Sequence, residues 1–310
     1  MSTIVLTLRL TIYIITGYLV VKTGIVSKDF SKQLSSLMLT ICLPSLILRS
    51  FYNTTMDENT LTEFGSVFIA TVVTFAVLFV VGYIAKRLSR NRVEGKVAIY
   101  GMLTTNFTFF GMPLIESLFG DAGLFYFTIL TTLARIVYYG LPTYLLGEGC
   151  HGSMREFWCQ LVSPVMLSVF AGLILYFAQL KPPEVIASVI QGFASTSTPL
   201  GLMLCGMTLA QSNAREALSR PAAFIMTLAR LIICPALVLL ACTLCGFKPL
   251  ITEIAVIYSA MPFGALLPTF ATKYCTDEHG ALYSSTLVFL STSFCIITIP
   301  IWIMVFNTFL

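Results

Sequence analysis

Apolar runs separated by short polar turns recur along the whole chain. They predict ten helical spans, at about 4–22, 33–52, 64–87, 97–119, 122–146, 158–179, 185–210, 221–245, 251–273 and 281–309. A run of about 20 apolar residues rises about 30 Å as a helix, which is the thickness of a hydrocarbon core. None of the intervening turns is long enough to hold a soluble domain. The pattern predicts an all-α integral membrane protein.

The fourth span departs from a plain apolar helix. It carries Thr104, Thr105, Asn106 and Thr108, then Gly111 and Pro113, where leucine and valine would be expected. Counted from Lys96, Asn106 lies about 15 Å deep, near the middle of the bilayer. Freed backbone cannot face lipid there, because each unsatisfied amide costs several kcal/mol. The stretch reads as a broken helix, set against protein or a wet cavity, as at the binding sites of secondary transporters. Taken alone, it also fits a proline kink packed by its neighbours, with the threonines bonding back to their own turn.

Composition strengthens the membrane reading: 57% of residues are hydrophobic, 10% are charged, and the mean hydropathy is +0.90. A soluble domain carries about 25% charged residues. The first apolar segment lacks a basic start and a small-residue cleavage site, so the N-terminus is expected to remain as span one. The nine cysteines lie mostly inside apolar runs (Cys42, Cys205, Cys234, Cys242, Cys295) and read as small packing residues. With only His151 and His279 to add, a zinc site is not expected, and neither is a cofactor.

The net charge of +4 resides in short loops and reads as a topology signal, not as a nucleic-acid surface. The turns after spans 1, 3, 5, 7 and 9 hold Lys22, Lys28, Lys32, Lys86, Arg87, Arg90, Arg92, Lys96, Arg155, Arg215, Arg220 and Lys273. The other turns hold only Arg49, Lys181 and Lys248, so both termini are expected to be extracytoplasmic.

A shift of half the chain length superposes Gly17 on Gly172, Pro44 on Pro199 and Pro113 on Pro268. Asn106 then falls on Met261, beside Pro262. With five spans in each half, residues 1–155 and 156–310 would be repeats of opposite orientation. The partner of the broken fourth span is Ser259–Lys273 in the ninth, where Pro262 also lies about 16 Å deep. Half-helix ends meeting there would offer positive N-terminal dipoles to an anion and free carbonyls to a cation.

The motifs Asn106-x4-Gly111-x-Pro113-Leu114 and Met261-Pro262-x-Gly264, followed by Pro268, Ala271 and Tyr274, together with Pro44 and Pro199, resemble those of the auxin efflux carrier family. The resemblance covers essentially the whole chain. It implies a fold shared with bile acid sodium symporters, in which spans 1, 2, 6 and 7 form a scaffold. Spans 3–5 and 8–10 then form a mobile transport domain, and the broken spans 4 and 9 cross at the substrate site. It further implies a secondary transporter of a small organic anion, such as auxin in plant members and malonate or malate in bacterial ones, working by an elevator-type motion. The compact loops resemble a bacterial member. Asn106 matches the family's crossover asparagine, and Pro262 its counterpart. Two departures stand out: Thr105 where plant members tend to have proline, and Phe263 where they tend to have a polar residue. The auxin-type carboxylate site is therefore not carried over intact.

The substrate-binding candidates are Thr105, Asn106, Thr108, Gly111, Pro262, Phe263, Gly264, Arg230, Ser45 and Ser197, with Pro113, Pro268, Pro44 and Pro199 shaping the helices. Arg230 would either contact the anion or bond to carbonyls of the broken helices, since an intramembrane arginine needs a partner. Arg135 would snorkel to the cytoplasm or serve the site, and Arg9 would anchor at the outer interface. Glu116 is expected to be solvated near the outer surface. The aromatic runs (Phe107, Phe109, Phe110; Tyr138, Tyr139) are expected in packing and the interfacial belt. The serines and threonines before Pro199 read first as helix packing contacts.

The coupling ion would be sodium, held by Asn, Thr and carbonyl oxygens, or a proton, for which no mid-span carboxylate is available. The plasma membrane is the expected location, and a homodimer through the scaffold spans the candidate assembly. The alternatives are a sodium-coupled symporter of a bile-acid-like or other organic anion, and a membrane sensor that binds without translocating. An intramembrane enzyme is disfavoured by the absence of HExxH, GxSxG or a membrane carboxylate pair.

Overall fold

A computed structural model describes residues 3–27, 29–56, 58, 60–89, 91–146, 162–211, 220–275 and 278–309. Lys28, Arg90, His151, Arg155, Arg215 and the first residues of the sixth predicted span lie outside the described residues. The described chain is helical, with one isolated bridge in place of any strand. In chain order the helices are α1 (Thr3–Lys22), α2 (Phe30–Asn53), α3 (Thr60–Leu88), α4 (Arg92–Leu103), α5 (Phe107–Gly140), α6 (Pro142–Leu146), α7 (Pro164–Phe177) and α8 (Glu184–Gln211). There follow α9 (Pro221–Leu244), α10 (Pro249–Ala260), α11 (Leu267–Tyr274) and α12 (Glu278–Phe309).

Six of these, α2, α3, α5, α8, α9 and α12, carry segments long and apolar enough to cross a membrane, and α7 and α10 are shorter apolar helices. Large apolar side chains stand exposed along α1 (Leu8, Ile12, Ile15), α3 (Phe68, Val72, Phe79), α8 (Ile186, Val189, Phe193) and α12 (Ile297, Ile301). Exposed apolar surface on this scale is unstable in water and is what lipid tails would cover. The molecule is a multi-pass membrane protein.

Prolines explain the local irregularities. Three single turns of π-helix, Met38–Cys42, Phe107–Gly111 and Ala229–Ile233, each end two residues before a proline: Pro44, Pro113 and Pro235. Proline lacks an N–H and collides with the carbonyl four residues back, and widening the turn relieves both problems. At Pro235 the freed carbonyl is that of Leu231, and the indole N–H of Trp302 donates to it at 2.9 Å. The long helix α5 is broken at Gly120, whose φ of +63° and ψ of −153° suit only glycine. That break falls between the fourth and fifth predicted spans.

Two compact units divide the chain, and each is discontinuous in sequence. The first comprises Met1–Phe68, Thr108–Thr132 and Arg155–Gln211. In it α1 runs antiparallel along α8, with Gly17 against the backbone of Met203 and Gly206 against that of Ile14. Phe51, Phe125 and Tyr176 form its aromatic core, with ring centroids 4.6 and 5.0 Å apart. The second comprises Ile69–Phe107, Leu133–Met154 and Ser212–Leu310, and packs α12 against α4, α9 and α11.

The five cysteines named from the sequence are all buried. Phe107, Phe110 and Tyr138 are buried as well, so these aromatics belong to the core and not to an interfacial belt.

Candidate functional site

In the second unit, two helices stop in mid-course and their extended ends meet. The Asn91 side chain caps the start of α4 by accepting from the N–H groups of Val93 and Glu94. Its other end stops at Leu103, and Thr104 turns extended at φ −114°, ψ 132°. α10 stops at Ala260, and Met261 turns extended at φ −67°, ψ 153°. Thr105 and Phe263 then pair as an antiparallel bridge, and the Asn106 N–H donates to the Pro262 carbonyl at 3.0 Å. A second donor is used up when the Phe263 N–H bonds to Ser291 Oγ on α12 at 3.1 Å. Extended backbone buried in this way must pair, and here it pairs across the two breaks. Chain continues as helix on the far side of each break, in α5 from Phe107 and in α11 from Leu267.

Arg230 closes the arrangement. It sits in the π-turn of α9, fully buried, and its Nε donates to the Met261 carbonyl at 3.1 Å while Nη1 donates to that of Met102. Those carbonyls belong to the C-terminal ends of α10 and α4, where the helix dipoles are negative. Each bond from a charged donor is worth about 1.5–3 kcal/mol, so two of them offset the ~2.5–3.5 kcal/mol cost of an arginine at mid-membrane. The Phe263 ring lies beside the guanidinium at 5.8 Å. Arg230 Nη2, buried, has no hydrogen-bond partner.

A second arginine is placed in the same unit. Arg135 is 8% exposed, stacks over the Phe107 ring at 4.9 Å, and leaves Nε and Nη2 without partners. The expected alternative of snorkelling to the cytoplasm is not what is seen, because the guanidinium turns into the protein. Neither arginine forms an ion pair with a carboxylate among the described residues.

Of the residues singled out from the sequence, Thr105, Asn106, Pro262, Phe263, Gly264 and Arg230 fall in this unit. Thr105 Oγ1 is buried and unpartnered, Asn106 is 7% exposed, and Gly264 lies against the Tyr138 ring, where a Cβ would come within 2.4 Å of the hydroxyl oxygen. Thr108, Gly111, Ser45 and Ser197, with Pro44, Pro113 and Pro199, belong to the first unit. There Thr108 and Ser45 are half-buried, and Ser197 is buried with its hydroxyl unpartnered. Pro268 starts α11.

The sequence reading missed a charged cluster in the first unit. Arg49 donates to Glu116 Oε1 at 2.6 Å and to Asp121 Oδ1 at 2.9 Å, Asn53 holds the other oxygen of Asp121 at 2.8 Å, and Thr198 donates to Glu116. Glu116 is therefore not solvated as expected: its side chain is 15% exposed and paired. Ser291 was missed as well. A hydroxyl one helix away carries no periodic signal.

Interrupted apolar helices, paired backbone and a buried cation stand together here in a polytopic membrane protein. The chain matches a family described as membrane transport protein over residues 3–149 and 153–303, and it belongs to that family, the auxin efflux carrier-like transporters. It is similar to a protein of Methanothermobacter thermautotrophicus named "uncharacterized transporter", 22% identical over 303 residues and 95% of both chains. It is also similar to a Rhizobium meliloti protein named "putative malonate transporter", 21% identical over 277 residues, 86% of this chain and 84% of that one.

Proposed function

We propose that this transporter moves a small organic anion, a dicarboxylate of the malonate type, and that the anion is held at the paired breaks around Thr105, Asn106 and Phe263. The observation that carries the reading is the pair of buried arginines with unused donors, Arg135 Nε and Nη2 and Arg230 Nη2. The two carbonyl bonds offset the cost of burying Arg230, whereas Arg135, with Nε and Nη2 unpartnered, is a buried cation that an anion would complete. Asn106 adds a neutral amide that can donate to a carboxylate without placing more charge in the membrane. The name of the Rhizobium meliloti relative supports the substrate class.

In this reading the fourth and ninth predicted spans are crossover helices of an inverted repeat, residues 1–155 and 156–310. Spans 3–5 and 8–10 carry the anion in an elevator-type motion, and spans 1, 2, 6 and 7 stay fixed and offer a dimer contact. Ser45 and Ser197 would line the fixed side. The protein would reside in the plasma membrane with both termini extracytoplasmic.

Arg135 provides the test. Arg135→Gln is expected to weaken malonate binding about 10- to 150-fold, the equivalent of one charged hydrogen bond of about 1.5–3 kcal/mol. Titration of the purified variant by ligand-induced thermal shift checks this; a wild-type dissociation constant would remove Arg135 from the site. The topology has its own check. A reporter that fluoresces only in the cytoplasm, fused after Leu310, is expected to stay dark, and bright cells would reverse the orientation.

A further inference from the structure

We propose that Arg230 is the resident cation of the paired breaks, standing where a sodium ion would otherwise be held, so that the anion is carried without sodium. The inference rests on the transport reading above and deepens it by assigning the ion requirement. Two half-helices that stop at mid-membrane present freed carbonyls and the negative ends of their dipoles, which is how a broken helix binds a hard cation. Here those carbonyls are already bonded. Met261 O accepts from Arg230 Nε and Met102 O accepts from Nη1.

The hydroxyls nearby leave little for a metal ion. Ser291 Oγ accepts from the Phe263 N–H and donates to the Val288 carbonyl. Thr104 Oγ1 bonds back to the Tyr100 and Gly101 carbonyls. Thr105 Oγ1 is unpartnered, but one hydroxyl is far from the six or so oxygens that a hard cation gathers. Within contact range of that hydroxyl's bridge partner stands the guanidinium itself, 5.8 Å from the Phe263 ring, and its charge repels a second cation. With Arg230 in place the donor set therefore does not fit sodium.

The placement of Arg230 is built in. Pro235 forces the π-turn Ala229–Ile233 that carries it, and Trp302 holds the turn by donating to the Leu231 carbonyl. A cation tethered to α9 cannot leave with the substrate. The cation at the breaks is then the same in every step of the cycle, and no sodium gradient is coupled through this point. Arg230 acts here as a positioning residue for the broken backbone, and its charge is the property that matters.

The experiment compares sodium chloride with choline chloride at equal ionic strength, using full-length purified protein. Melting temperature is read in detergent, and uptake of radiolabelled malonate in proteoliposomes. Wild-type protein is expected to melt within about 1 °C in the two salts, because no ligand is being added to the folded state. Its malonate uptake is expected to be unchanged. Arg230→Ala is expected to melt lower in choline and to recover saturably with added sodium, which now finds the two carbonyls free and, in the space the guanidinium leaves, water to complete its shell.

A wild-type melting temperature or uptake rate that climbs saturably with sodium overturns the proposal. So does a folded Arg230→Ala protein that ignores sodium. If Arg230→Ala does not fold, Arg230→Lys takes its place: it keeps the charge and loses the planar fork, so it is expected to melt lower yet remain indifferent to sodium. A sodium-stabilised Arg230→Lys protein would contradict the resident-cation role. Failure of malonate uptake in both salts would count against the substrate class, while the melting curves still decide the cation.

Discussion

Replacing Asn106 by leucine is expected to leave a folded protein that binds malonate about 10- to 150-fold more weakly, a loss of about 1.5–3 kcal/mol. The bond that joins the two breaks at this position is made by the backbone N–H of Asn106 to the Pro262 carbonyl, so it survives any side-chain exchange except proline. Leucine has a similar volume and carries no polar group into a site only 7% exposed. What it removes is the amide, the neutral group able to donate to a carboxylate at this depth. Asn106→Asp is expected to be worse for an anion, since it adds a like charge. Together the two variants report the sign of the substrate. Thermal-shift titration gives the affinities and size-exclusion chromatography checks the fold; leucine with wild-type affinity would make the paired breaks purely structural.

Gly206→Val is expected to be the most damaging single change to stability. A Cβ at Gly206 would lie 1.9 Å from the Ile14 carbonyl oxygen, and one at Gly17 would lie 2.0 Å from that of Met203. In both cases the neighbour is backbone, which cannot rotate away, so α1 and α8 would have to separate. Small residues are what allow membrane helices to approach this closely. Overpacking costs about 1–3 kcal/mol where side chains can adjust, and here the expected loss is at least about 3 kcal/mol because they cannot. Even Gly206→Ala is expected to lower the melting temperature measurably. The control is Gly192→Ala on the same helix, where a Cβ meets nothing within 4 Å. It is expected to be neutral or stabilising by about 0.5–1 kcal/mol through helix propensity. Equal melting temperatures for the two alanine variants would refute the close packing of α1 and α8.

Much of this was legible in the sequence, for physical reasons. A hydrophobic period needs no knowledge of partners, so the all-helical class was legible, and six helices long and apolar enough to cross a membrane stand among the described residues. The breaks were legible because Thr104 to Asn106 and Pro262 to Gly264 are poor choices for a continuous apolar helix. Even the alternative for the threonines is partly realised: Thr104 does bond back to its own turn.

Partners distant in sequence were not legible. Arg49 counts as a loop cation when charges are tallied, and Glu116 counts as a solvated carboxylate when depth is measured along a straight helix. Yet the two are paired across 67 positions and share the pair with Asp121 and Thr198. Depth counting also fails across Thr104 to Asn106, because extended residues advance about 3.3 Å each and not 1.5 Å. For Arg230 the sequence left two roles open, contact with an anion or bonding to freed carbonyls. The geometry shows the second for two of its nitrogens and leaves Nη2 unpartnered.

The central claim is that a dicarboxylate is carried at the paired breaks, and uptake of radiolabelled malonate into proteoliposomes tests it most directly. Saturable uptake by the wild-type protein, competed by other small dicarboxylates and strongly reduced in folded Asn106→Leu and Arg135→Gln proteins, is the predicted result. Absence of uptake and of competition by any small dicarboxylate, or undiminished uptake by both variants, would contradict it.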